Sequence, residues 1–247
     1  MRVLVVLLVW IGVVWGQSGV RLVQVDVEPI GSRTSYESLG LRGGNKQSNY
    51  YQRFRRMIDS SAPTQIKRVL EGLELVILDR SGQGYLALYR SPIASKDNRF
   101  VVVRYDREGR ESDRVELTPF VTARYPLEVQ DIRLDGEVLY FNASSPTYAS
   151  KTKGKSSALY AYDLRKHTLL WRSNYLRSNN IFLVSECCLI TGYGFTREPD
   201  YLYLIDKTTG KVRDHTKLDT AHSYLEIQGN RLYVMTYNRL YTFELSS

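Results

Sequence analysis

Cys187 and Cys188 are neighbours in the chain and are its only two cysteines. Their chemistry is that of two thiols or of a vicinal disulfide. The disulfide is strained, because adjacent Cα atoms lie about 3.8 Å apart, below the usual disulfide range. An oxidising compartment would favour that bond. The pair also fits two small residues at a strand edge, between Ser185-Glu186 and Leu189-Ile190. The histidines are His167, His215 and His222, in sequence that reads as turns or loops. His215 and His222 stand seven residues apart with Asp214 and Asp219 nearby. No short His or Cys ligand spacing accompanies them, so no metal ligand is assigned. The chain has neither a Gly-x-Ser-x-Gly elbow nor a phosphate-binding Gly loop. Glycosidase chemistry needs two carboxylates at a fixed separation, which sequence does not measure. Asn142-Ala143-Ser144 is a glycosylation sequon at an expected strand end, relevant only in a eukaryotic host. No catalytic and no cofactor-binding residue is assigned.

The elements that would position these residues read as strands. There are 19 Tyr against 7 Phe and 3 Trp, and Tyr suits a pleated, half-buried surface. A strand ending in an acid recurs: VVRYD to Asp106, LYAYD to Asp163, LYLID to Asp206 and LYTFE to Glu244. Those ends are 57, 43 and 38 residues apart. Units near 40 residues, with about four strands each, predict a small β-propeller. One blade takes residues 74–79, 85–90, 100–106 and 114–118; the next takes 127–133, 137–142, 158–163 and 168–172. A third takes 181–185, 188–193, 201–206 and 211–215. Turn chemistry such as Asp135-Gly136, Thr209-Gly210 and Gly229-Asn230 bounds the runs. The last unit has three strands, 224–227, 231–236 and 239–245, and then the chain stops. Residues 20–27 (VRLVQVDV) largely alternate apolar and polar and predict the strand that closes the last blade. The fold class is therefore all-β, a propeller of about four to five blades.

Ahead of the repeats, Met1-Arg2 is followed by an apolar run over residues 3–15 broken by one Gly. The run is short of the roughly 20 residues that span a membrane. Its positive start and small-residue exit read as a signal peptide over residues 1–16, the other reading being an uncleaved anchor helix. The expected location is secreted or periplasmic, with no transmembrane helix after the signal. Residues 17–67 hold the closing strand, a Gly/Ser-rich loop and a short amphipathic helix suggested by Tyr50, Phe54, Met57 and Ile58. Residues 68–247 hold the propeller repeats.

Two segments resemble the repeat of the quinoprotein-like, or pyrroloquinoline-quinone-type, propeller superfamily. They are residues 159–171 (LYAYDLRKHTLLW) and 202–214 (LYLIDKTTGKVRD). Ala161, Asp163 and Trp171 match in the first, and Asp206, Thr209, Gly210 and Lys211 in the second. In such a repeat Asp satisfies backbone amides of the next turn, Gly takes the positive-φ position and Trp docks on the adjoining blade. The departures are His167 at the turn Gly and Asp214 at the Trp. The resemblance implies a propeller scaffold, since many members are non-catalytic and some are envelope assembly factors. It also gives the Cys pair a second meaning, because quinoprotein dehydrogenases carry a vicinal disulfide beside the quinone. Those enzymes have about eight blades, more than this length holds, so no cofactor is expected.

The formal net charge is +8, with Lys and Arg mostly scattered. Such an excess serves solubility and favours an anionic partner. Nucleic acid is not expected without a recognition motif. The leading functional expectation is an exported, non-catalytic scaffold that binds a protein or envelope polymer. The polar, basic insertion at residues 145–156 (SPTYASKTKGKS) would lie on its rim. The alternatives are a small secreted glycan-acting hydrolase and a quinone-dependent oxidoreductase.

Overall fold

The structure is a computed structural model, and it describes residues 19–31, 39, 57–59, 61–92, 98–121, 127–195 and 197–246. The signal segment and most of the Gly/Ser-rich loop lie outside the described residues. So do Tyr50 and Phe54 of the expected helix; Met57 and Ile58 are in a two-residue strand instead. Among the described residues no helix is long and apolar enough to cross a membrane.

Among the described residues four blades follow one another, each built on four antiparallel strands. Blade 1 consists of β4 (Leu73–Ser81), β5 (Gly84–Arg90), β6 (Phe100–Tyr105) and β7 (Glu111–Glu116). Blade 2 consists of β8 (Glu128–Asp135), β9 (Val138–Ser144), β10 (Ala158–Asp163) and β11 (Thr168–Arg172). Blade 3 consists of β12 (Asn179–Val184), β13 (Cys188–Tyr193), β14 (Asp200–Asp206) and β15 (Val212–Leu218). Blade 4 consists of β16 (His222–Gln228), β17 (Arg231–Thr236) and β18 (Arg239–Ser246), and its fourth strand is β1 (Arg21–Pro29). The N-terminal strand thus completes the last blade, antiparallel to β18 from Arg21 opposite Ser246 to Pro29 opposite Arg239. The first strands of the blades contact in succession, β4 to β8 to β12 to β16, and form the inner wall of the propeller. β5 takes one edge of β4, so β2 (Met57–Ile58) and β3 (Val69–Leu70) lie along the other.

The period-two alternation of strand side chains explains how the blades stack. In blade 1, Leu86, Leu88, Phe100 and Val102 face blade 2, where they meet Leu139, Phe141 and Tyr160. The opposite face of blade 2, with Tyr140, Leu159 and Ala161, meets Phe182, Leu189 and Tyr203 of blade 3. Blade 3 then presents Ile181, Ile190, Leu202 and Leu204 to Leu225, Leu232, Val234 and Phe243 of blade 4. Strands buried on both faces read as nearly continuous apolar runs, which is why these segments stand out in the sequence.

The two terminal faces are covered differently. On blade 1, Leu75, Ala87, Tyr89 and Val103 pack under Ile58, Ala62, Ile66 and Leu70. On blade 4, Tyr224, Met235 and Leu240 pack under Ile30 and Leu39. Among the described residues no hydrophobic cluster contains side chains from both blade 1 and blade 4. The segment between β1 and β4 supplies the cover that a neighbouring blade supplies elsewhere.

One long-range bond ties β1 across to blade 3: the Leu22 N–H donates to Asp214 Oδ2 at 2.8 Å. Asp214→Ala is expected to cost about 1.5–3 kcal/mol in urea unfolding, the range for a hydrogen bond to a charged group. Deleting residues 20–30 should abolish the single cooperative transition, because it bares the edge of β18; an unchanged melt would refute the clasp.

Candidate functional site on the long-loop face

Strand direction alternates within each blade, so successive connections alternate between two faces. Tight hairpins occupy one face. The other carries the links between second and third strands and those between blades. The longest fully described link on that face is residues 145–157, the polar insertion between β9 and β10.

The insertion is tightly organised. Ser144 and Ser157 share a hydrogen bond at 2.6 Å, and Thr152 Oγ1 donates to Ser156 Oγ at 3.1 Å. All four residues are buried. Residues Ala149–Thr152 form a 3-10 turn, ended by Lys153 in the left-handed region at φ 51°. The insertion is also bound to blade 3 and to the next connection. Glu198 Oε1 accepts the Ala149 N–H at 2.7 Å, while its other oxygen accepts from the Tyr193 hydroxyl. The Tyr148 and Phe195 rings meet edge to face at 4.8 Å. The N–H groups of Leu176 and Arg177 donate to Ser156 O and Ser157 O at 2.9 and 2.8 Å. Beside Glu198, burial and then the Glu198 charge push the Asp200 carboxyl up to about 6. Lys151, Lys153 and Lys155 project from this fixed frame into solvent. Exposed cations on a fixed backbone give a surface suited to binding an anion, because little of the chain must be ordered on contact.

Beneath the loops, a buried polar chain joins the inner walls of blades 2, 3 and 4. Asn142 accepts from Asp131 N at 2.8 Å and donates to Ser178 Oγ at 3.0 Å and Asn180 O at 2.6 Å. Asp131 Oδ2 accepts the Phe182 N–H at 3.1 Å and faces Arg133 at 3.1 Å. Burial pushes the Asp131 carboxyl up to about 6, with Arg133 acting against it. His222 Nε2 donates to Ile181 O at 2.9 Å. Its Nδ1 is buried without a hydrogen-bond partner, and a Cβ on Gly192 would lie 2.4 Å from it. Burial holds the imidazole at about 4, hence neutral at neutral pH.

The residues singled out in the sequence are spread over several sites. Cys188 is fully buried in the contact between blades 3 and 4, and Cys187 is partly exposed in the preceding hairpin. Both are free, with sulfurs 2.7 Å apart and the Ser185 hydroxyl 3.4 Å from each. Burial pushes the Cys188 thiol up to about 12, so it is a poor nucleophile at neutral pH. The loop expectation for two histidines is corrected: His215 is exposed on β15 against Tyr203, and His222 is buried on β16. Their side chains do not converge. Among the described residues no group of three or more His, Cys, Asp or Glu is placed to hold a metal. The sequon is also corrected, because Asn142 is fully buried with both amide atoms engaged.

The repeat residues act at blade junctions. Asp206 Oδ1 accepts the N–H groups of Thr208 and Thr209 at 2.9 and 2.8 Å, and Gly210 has φ 68°. Lys211 continues the hairpin, where its carbonyl accepts from Asp206 N at 2.8 Å. Asp163 Oδ1 accepts from Lys166 N at 2.9 Å, and His167 takes the left-handed position at φ 52°. Ala161 is fully buried opposite Trp171. Trp171 Nε1 donates to Lys207 O of blade 3 at 2.9 Å, and its ring lies so close that a Cβ on Gly210 would fall 2.5 Å from it. Sequence reasoning missed the buried chain and Glu198; isolated polar residues in strands carry no spacing signal.

No protein-family model and no curated relative matches the chain. Several solved structures are similar to it. The β-propeller domain of the Trilobed protease from Pyrococcus furiosus is 13% identical with a TM-score of 0.48, over 72% of this chain and 56% of that one. The chain therefore spans little more than half of that structure. BamB from Moraxella catarrhalis is 9% identical with a TM-score of 0.35, over 72% and 74% of the two chains. The WD40 β-propeller domain of Doa1 is 9% identical with a TM-score of 0.41, over 70% and 64%. The propeller assignment rests on the strand order and blade packing described above.

The buried chain predicts opposed pH dependences. Asp131 binds its proton more tightly folded than unfolded, so its contribution rises as pH falls through about 6. His222 binds its proton more weakly folded, so its contribution falls as pH drops from 6.5 toward about 4. Each change is worth roughly 2–3 kcal/mol, and together they nearly cancel. Relative to wild type, Asp131→Asn should lose about that much stability between about pH 7 and pH 4, and His222→Gln should gain it. Denaturant unfolding of the three proteins at both pH values measures the differences.

Proposed function

We propose that this chain is an exported, non-catalytic β-propeller scaffold of the quinoprotein-like repeat type, which binds an anionic protein or envelope polymer on its long-loop face. The observation that carries the reading is the insertion at residues 145–157. It displays Lys151, Lys153 and Lys155 on a loop fixed by buried hydroxyls and by Glu198. Export is supported by the charge and hydropathy of residues 1–16. The repeat type is supported by the turn contacts of Asp206 and the docking of Trp171. A scaffold reading is also supported by the use of Asp131, a fully buried carboxylate, in a bond to blade 3 and an ion pair within blade 2.

The experiment is affinity recovery from an envelope fraction with the full chain, against the variant Lys151→Glu/Lys153→Glu/Lys155→Glu. The three side chains are exposed, so the variant should fold and melt like wild type. Partner recovery is expected to fall by about ten-fold or more, as for loss of a principal contact. Equal recovery by both proteins would remove the insertion from the account.

A further inference from the structure

We propose that the outer edge of blade 2, strand β11 (Thr168–Arg172), accepts an extended strand from a partner protein, apolar in its middle and carboxylate-bearing at its ends. This surface is separate from the lysine-bearing insertion and does not depend on it.

Strands β1, β7, β11 and β15 are the outermost strands of their blades. Each has a bulge against its neighbour, and the residue after the bulge is Asp26 in β1, Asp113 in β7, Asp214 in β15 and Trp171 in β11. Each of those Asp side chains accepts the N–H of the next residue: Val27 at 2.8 Å, Arg114 at 2.7 Å and His215 at 2.8 Å. A carboxylate over an edge N–H occupies the donor that an incoming strand would use, and charge along an edge disfavours pairing. In β11 the equivalent residue is Trp171, whose ring is committed to Lys207 and Gly210 of blade 3. The N–H of Arg172 therefore has no carboxylate from the preceding residue.

The rest of the strand is equally open. Leu169 and Leu170 are 38% and 46% exposed, and Thr168–Trp171 carries no acidic or basic side chain. β7, by contrast, has ion pairs along it, from Arg114 to Glu111 and to Glu71. β11 is the last strand of its sheet, with β10 on one side and no described strand on the other. An apolar edge of this kind binds extended segments by main-chain hydrogen bonds, with alternate side chains giving selectivity.

The flanks identify the partner. Arg165 and Lys166 lie exposed in the hairpin before β11, and Arg172 is exposed at its end, stacked over Tyr175 at 4.2 Å. Antiparallel pairing of two copies through β11 would set each Arg172 toward the other copy's Arg165 and Lys166, and like charges across an interface oppose association. A segment with Asp or Glu at both ends meets the same flanks with complementary charge.

A random peptide library is selected on the immobilised full chain, and the enriched peptides are then measured against Leu169→Asp/Leu170→Asp, which introduces acids at two exposed positions of the edge. The enriched peptides are expected to alternate apolar residues between acidic ends, to slow amide exchange along β11, and to bind the variant about ten-fold or more weakly. Binding should be unchanged in Lys151→Glu/Lys153→Glu/Lys155→Glu, which separates this result from the fate of the insertion. Arg165→Gln/Arg172→Gln, which leaves both leucines in place, should also weaken binding. No enrichment, peptides without acidic ends, or equal binding to the Leu169/Leu170 variant would overturn the proposal. Concentration-dependent dimerisation lost in that variant would overturn it in favour of a second copy of this chain.

Discussion

Leu139, Tyr140, Phe141, Asn142 and Ala143 are consecutive and all buried. A strand with that composition on both faces can exist only between two other layers. The same holds for the second and third strands of every blade, while the outermost strands are largely exposed, so no blade is a stable unit by itself. The chain meets this constraint three times by laying one blade on the next. At its two ends it uses the segment joining β1 to β4, which caps blade 1 with Ile58, Ala62, Ile66 and Leu70 and blade 4 with Ile30 and Leu39. The clasp follows from this arrangement. Strand β1 must leave blade 4 with Ile30 placed over Tyr224, and its pairing with β18 sets that geometry.

Polar contacts specify the stacking that apolar area favours. Asn142, Asp131, Asn180 and His222 link the inner strands of blades 2 to 4 through directional bonds that a slipped register would break. Such groups are costly when unpaired, so they select one arrangement among many compact ones. On the outer strands Asp26, Asp113 and Asp214 each bond an edge amide. Asp214 uses its second oxygen to hold Leu22 of the clasp. Trp171 stands at the corresponding place in blade 2 and spends its side chain on the next blade instead. One repeat position thus serves edge protection in three blades and blade docking in the fourth.

The strands were legible because two-sided burial leaves runs of Val, Leu, Tyr and Phe that turn residues interrupt. The incomplete last unit, together with the alternation in residues 20–27, made the clasp legible as well. Other features were hidden for physical reasons. Asp214 looked like a departure from the repeat because its meaning lies in a bond to residue 22, far away in sequence. Asn142 was legible only as part of a sequon at a strand end, because a tripeptide carries no information on burial, and it is at the centre of the polar chain. Met57 and Ile58 fit a helical spacing, but they pair in parallel with Ile77 and Leu78 of β4. Tertiary pairing decided their conformation. The lysines of the insertion were visible as composition; that they stand on a rigid frame depends on Glu198, which no motif marks.

If two-sided burial makes the blades mutually dependent, they should open together. Native-state hydrogen exchange on the full chain measures this directly, by giving an opening free energy for amides in β1, β18, β10 and β13. The account predicts that all four share the global unfolding free energy, with β1 and β18 as protected as the central blades. Exchange of β1 and β18 through a low-energy local opening, with β10 and β13 still protected, would contradict it.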